Sequence, residues 1–172
     1  MNLTKTTAAL LMLALPVLPV HAGGYIGIDR SSVTVEDESG DEMEPDGLRF
    51  RIGMRISEFF DLEAQFGRVD DSSTTAFDDF ETTYMGAYLK GYLPMGRQSA
   101  LFALAGVSGV EYTQDIAGQE FSNDQSGFSY GIGLETKLTQ SLDLSADYMR
   151  YNTDEGLYPE ASAINFGIKW YF

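Results

Sequence analysis

From Gly23 onward the chain alternates apolar and polar at every second residue, the period of a strand with two unlike faces. The final stretch is clearest: Ile164, Phe166, Ile168, Trp170 and Phe172 share one face, and Asn165, Gly167, Lys169 and Tyr171 the other. Leu48, Phe50, Ile52, Met54 and Ile56 likewise oppose Arg49, Arg51, Gly53 and Arg55. Past a turn at Ser57-Glu58, Phe60, Leu62, Ala64 and Phe66 alternate with Asp61, Glu63, Gln65 and Gly67. Similar segments begin near Ile26, Tyr84, Phe128 and Leu142. The segment from Ala100 to Tyr112 is apolar or small on both faces, so alternation assigns it no orientation. Eight strands of about ten residues are expected. Short turns near Ser57, Pro94-Met95-Gly96 and Thr139-Gln140-Ser141 alternate with long polar segments at 36–46, 69–81, 111–125 and 152–161. Those proportions predict an all-β fold, an eight-stranded antiparallel up-and-down transmembrane β-barrel.

Residues 1–22 break the pattern. Lys5 precedes an apolar run from Ala8 to Val20, followed by Val20-His21-Ala22 with small residues where a signal peptidase reads. The run is too short, and too interrupted by Pro16 and Pro19, for a spanning helix. Residues 1–22 are therefore expected to be a cleaved signal peptide, and 23–172 the barrel domain. Cys is absent and the single His, His21, falls in the leader, so thiolate and imidazole chemistry are not expected of the mature chain.

Charge decides between a lipid-embedded barrel and a soluble one. Removing Lys5 leaves ten bases against 26 acids, a mature net charge of −16 and the wrong sign for a nucleic-acid binder. The four long segments hold 7, 5, 4 and 3 of those acids, 19 together, with no Lys or Arg. On the polar strand face, Asp29, Asp61, Glu63, Glu135, Asp143 and Asp147 match Arg49, Arg51, Arg55, Lys90, Lys137 and Lys169, six against six. A soluble barrel would hold these twelve in water, where nothing requires balance. A small barrel in lipid turns them into a lumen just wide enough for side chains, where unpaired charge is costly. An interior ion network of these twelve residues is expected, with Arg55 and Asp61 meeting across the first turn. Arg30, Arg68 and Arg150 depart from it: they fall on the apolar parity where strands meet long segments. With the N-terminus periplasmic, all three sit at the outer headgroup level, where Arg forks suit lipopolysaccharide phosphates.

Three stretches resemble a known family: Gly24-Tyr25-Ile26-Gly27, Leu144-Ser145-Ala146-Asp147-Tyr148-Met149-Arg150-Tyr151, and the ending Lys169-Trp170-Tyr171-Phe172. The chain is similar to the eight-stranded outer-membrane β-barrel family, which includes the OmpA barrel domain and OmpX. The resemblance spans Gly23 to Phe172 and implies a Gram-negative outer-membrane location, reached by export. It also implies that Trp170 and Phe172 form the insertion signal read by the barrel-insertion machinery. It leaves no length for the periplasmic peptidoglycan-binding domain that OmpA-like proteins append, so that anchoring role is not expected.

An enzyme is not expected. Barrel enzymes of similar scaffold use His as base, and paired carboxylates such as Asp61 and Glu63 sit among bases that keep them ionised. No cofactor is expected. Glu36-Asp37-Glu38, Asp41-Glu42-Glu44, Asp70-Asp71 and Asp78-Asp79-Glu81 suggest weak Ca²⁺ or Mg²⁺ association, without calcium-loop spacing. The expected function is that of a monomeric structural or surface-exposed envelope component with acidic extracellular loops. Its partners are outer-membrane lipid and lipopolysaccharide. Phe77, Phe80, Phe121 and Tyr158 dot the long segments and support, as alternative, an adhesin-type binder; a narrow channel for small solutes is the other.

Overall fold

The computed structural model describes residues 23–36, 42–43, 46–71, 80–116, 119–152 and 160–172. The expected leader lies outside the described residues. Among the described residues nine strands occur: β1 Gly24–Glu36, β2 Glu42–Met43, β3 Asp46–Arg55, β4 Phe60–Asp71, β5 Phe80–Met95, β6 Ser99–Ile116, β7 Gln119–Lys137, β8 Leu142–Asn152 and β9 Glu160–Tyr171. Eight are the staves of a barrel. The ninth, β2, is two residues that pair with the end of β1 through Val35↔Met43 and Glu36↔Glu42. Each stave pairs antiparallel with the next, and β1 also pairs with β9 from Tyr25↔Tyr171 to Val35↔Ala161. The sheet is thereby closed, which is the condition for crossing hydrocarbon with strands, since no backbone group is left unpaired at an edge.

Side chains sort by parity as the alternation predicts. Phe50, Ile52 and Ile168 are 49%, 60% and 43% exposed, whereas Arg51, Glu63 and Lys169 are 3%, 1% and 0% exposed. Register aligns the apolar set into rungs around the outside, such as Ile28–Phe50–Phe66–Met85. A continuous apolar band of that kind has no place on a soluble monomer and fits acyl chains. On β6, where alternation assigned nothing, Leu101 and Val107 face out while Phe102, Leu104 and Ser108 are buried inside.

The segment 111–125 is a correction to the sequence reading. It is not a loop: β6 and β7 stay paired up to Ile116↔Gln119. Pairing also carries β4 and β5 to Asp71↔Phe80. The staves therefore run 10 to 19 residues rather than about ten. Above the lipid both faces of a strand meet water, so hydrophobic alternation ends although the hydrogen-bonded ladder does not. At the opposite end the turns are short. Gly96, with φ of 83°, sits where a side chain would be strained.

Candidate functional site

Ten of the twelve residues expected inside the barrel are buried there: Asp29, Arg49, Arg51, Asp61, Glu63, Lys90, Glu135, Asp143, Asp147 and Lys169. The other two depart from the expectation. Arg55 is half-exposed, and Lys137 has the inward parity but is exposed, because it is the last residue of β7 and opens onto the mouth.

The buried groups form three linked tiers. Toward the outer side, Arg49 of β3 donates from Nε to Asp29 Oδ2 at 2.8 Å and grips Asp147 of β8 with both terminal nitrogens, at 2.9 and 2.5 Å. Arg51 Nη2 donates to Asp29 Oδ1 at 2.5 Å and to Ser145 Oγ at 2.7 Å, and Asn165 Nδ2 donates to Asp147 Oδ2 at 2.9 Å. Two strands far apart in the sequence, with β1 and β9 between them in the ring, are thus tied through the lumen. In the middle tier, Glu63 accepts from the Tyr25 hydroxyl at 2.5 Å and from Gln65 Nε2 at 2.7 Å. Lys90 Nζ lies 3.7 Å from Glu63 and 3.0 Å from Glu135, joining this tier to the next. There Glu135 also accepts from Lys169 at 2.5 Å and from the Tyr171 hydroxyl at 3.0 Å. Asp61 pairs with Arg55 at 3.2 Å, as the first turn predicts, and accepts from the Tyr92 hydroxyl at 2.6 Å.

Tyr25, Gln65, Tyr92, Ser145, Asn165 and Tyr171 complete this network, although no charge marked them. All six share the inward parity of the charged residues by alternation alone, which is the signal that finds them. Val33, Val69, Tyr84, Tyr88, Phe102, Leu104, Met149 and Tyr151 form a buried cluster rich in tyrosine, with Phe102 reaching down to the Lys90 ammonium, 3.8 Å from its ring centre. Glycine makes room for its rings. A Cβ at Gly67 would collide with the Tyr84 ring, and one at Gly53 with Tyr25. Asp29, Asp61, Glu63, Glu135 and Asp147 each have a basic or hydroxyl partner.

Outside, Arg30 and Arg68 lie on one transverse rung with Leu48 between them, about 10 Å apart at ordinary strand spacing. Arg150 stands beside Tyr130 and Ser162. Arg30 Nη2 donates to Asp46 Oδ2 at 2.6 Å, above the apolar band, and that hydrogen bond holds the Asp46 carboxyl below the usual carboxylate range. Trp170 and Phe172 are exposed at the other end, Trp170 beside Leu142 and Ile26. Most of the acidic segments expected to attract cations (37–41, 44–45 and 72–79), along with Phe77 and Tyr158, lie outside the described residues.

Solved structures similar to this chain are outer-membrane barrels. Neisserial surface protein A matches with a TM-score of 0.76 at 16% identity, over 87% of this chain and 97% of that one. Ail, the attachment invasion locus protein of Yersinia pestis, matches in complex with the heparin analogue sucrose octasulfate, with a TM-score of 0.68 at 15% identity over 88% and 99%. The N-terminal barrel domain of Pseudomonas aeruginosa OprF gives 0.67 at 12% identity over 88% and 99%. No curated protein sequence matches. At these identities the likeness is one of fold. The family model for the outer membrane protein beta-barrel domain matches residues 6–172, nearly the whole sequence, and by that match, with the closed barrel and its apolar exterior, the chain belongs to the outer membrane β-barrel family and resides in the outer membrane.

Proposed function

We propose that this protein is a non-enzymatic structural component of the outer membrane that exposes acidic loops at the cell surface and seats its Arg30, Arg68 and Arg150 collar among lipopolysaccharide phosphates. The observation that carries the reading is the occupied lumen. Arg49 and Asp147 tie β3 to β8 across it, and the tyrosine-rich cluster fills further space inside. A filled eight-stranded barrel supplies a rigid wall and a platform rather than a path. In planar bilayers the purified protein is expected to give no discrete conductance steps; reproducible ohmic steps would replace the structural reading with the channel. For the collar, lipopolysaccharide is expected to raise the melting temperature of the wild type and not of the Arg30→Ala, Arg68→Ala, Arg150→Ala triple variant. Equal stabilisation of both would remove the phosphate contact.

One observation favours an adhesin-type second reading. The β6–β7 hairpin remains paired to Ile116↔Gln119 and β5 runs beside it to Phe80↔Gln114, whereas the β7–β8 ladder ends at Ser129↔Tyr151, so the wall rises higher here than on the β8 side. Such a partner would differ in charge from the sulfated ligand of Ail, because the long segments carry 19 acids and no base and would repel a polyanion. Binding of cells or matrix that vanishes on shortening the hairpin would establish the adhesin.

A further inference from the structure

The end of the barrel that carries the short turns holds a cavity of about 290 Å³. Short turns mark the periplasmic side, so the cavity opens to the periplasm. Arg55, Tyr92, Glu135 and Tyr171 line it, half-buried or buried, and Glu58, Arg97 and Lys137 stand exposed in its lining. Neither the ion network nor the lipid-facing band accounts for these exposed charges.

Arg55 is the informative group. Its Nε is fastened to Asp61, and Asp61 is in turn fixed by the Tyr92 hydroxyl. Its guanidinium carbon lies 5.7 Å from the Tyr92 ring centre and 5.6 Å from that of Tyr171. The side chain nevertheless remains 41% exposed, and among the described residues its terminal nitrogens make no hydrogen bond. A planar fork held by one nitrogen and two rings, with its other edge open to a cavity, is a ready receptor for a carboxylate. Glu135 does not compete for it, being held by Lys90, Lys169 and Tyr171.

The rest of the lining narrows the ligand. Arg55, Arg97 and Lys137 are balanced by Glu58, Glu135 and Asp143, a formal sum of zero. A net anion gains little from such a field and meets three carboxylates, whereas a dipolar molecule can be complementary at both ends. The volume lies near the lower bound of ligand cavities, about 300 Å³, which suits a molecule of one or two residues. We propose that this periplasmic cavity binds the carboxylate end of a short zwitterionic peptide, with Arg55 receiving the carboxylate, Arg97 and Lys137 supporting it, and Glu58 facing the ammonium.

The test is titration of the folded protein in detergent micelles with the dipeptide Ala-Ala, followed by amide NMR shifts. Saturable binding is expected, weakened about tenfold or more when the dipeptide is C-terminally amidated and likewise in Arg55→Gln. Glu58→Gln is expected to weaken Ala-Ala and leave N-acetyl-Ala-Ala unchanged. Heat-modifiable migration checks that Arg55→Gln is folded; if it is not, the exposed pair Arg97→Ala, Lys137→Ala carries the same comparison, with loss of affinity expected. Absence of saturation at about 10 mM Ala-Ala, equal affinity in the folded Arg55→Gln or exposed-pair variant, or inorganic phosphate binding as tightly as the dipeptide would each overturn the assignment.

Discussion

Arg49 is fully buried and touches carboxylates from two different strands, Asp29 on β1 and Asp147 on β8. Deleting its charge while keeping its bulk leaves those acids facing one another in a space closed to water. Arg49→Met is therefore expected to cost about 3–5 kcal/mol, read by reversible denaturant unfolding through the fluorescence of Trp170, the single tryptophan. Adding Asp147→Met should recover part of that loss, because Asp29 keeps Arg51 as partner. A double variant whose loss equals the sum of the singles would show that the pair is not coupled, and a larger loss would contradict the ion pair outright. Glycine at the interior is just as local in its effect. Gly67→Val pushes a side chain into the Tyr84 ring, an overpacking worth about 1–3 kcal/mol. Tyr84→Ala in the same chain should relieve it, and failure of that rescue would place the strain elsewhere.

The strands convert these single positions into two faces with opposite tolerances. Ile52 sits midway along β3 on the outer face, and Leu48 lies near its outer end on the rung of Arg30 and Arg68. Ile52→Lys is expected to destabilise by about 2–4 kcal/mol in phospholipid vesicles and Leu48→Lys by about 0–1 kcal/mol; equal costs would mean that β3 does not cross the bilayer at this depth. The same faces explain how much could be read in advance. Wherever one side of a strand meets lipid and the other a polar lumen, as in Leu48–Ile56 and Ile164–Phe172, alternation gave strand, face and ion network together. It gave no orientation for β6, because Phe102 and Leu104 face inward against the aromatic cluster and make both sides apolar. It mistook 111–125 for a loop because water on both sides erases the contrast that lipid provides. Lys137 shows the remaining limit: parity says which way a side chain points, and only the strand's end says whether the barrel still encloses it. The cavity around Arg55 was not legible at all, since its walls come from turns and strand ends far apart in the sequence.

At the scale of the whole molecule, β1 and β9 are neighbours, and Tyr25 lies directly across from Tyr171. All other joints in the ring link strands adjacent in order along the chain, apart from the small excursion at β2. That single seam makes completion an all-or-nothing event in time. Seven staves form a curled ribbon with two raw margins, unfit for oil and sticky in water, and only arrival of the eighth lets the circle shut. A polypeptide of this design gains no partial refuge in the bilayer before closure, and the twelve residues of β9 decide whether anything assembles.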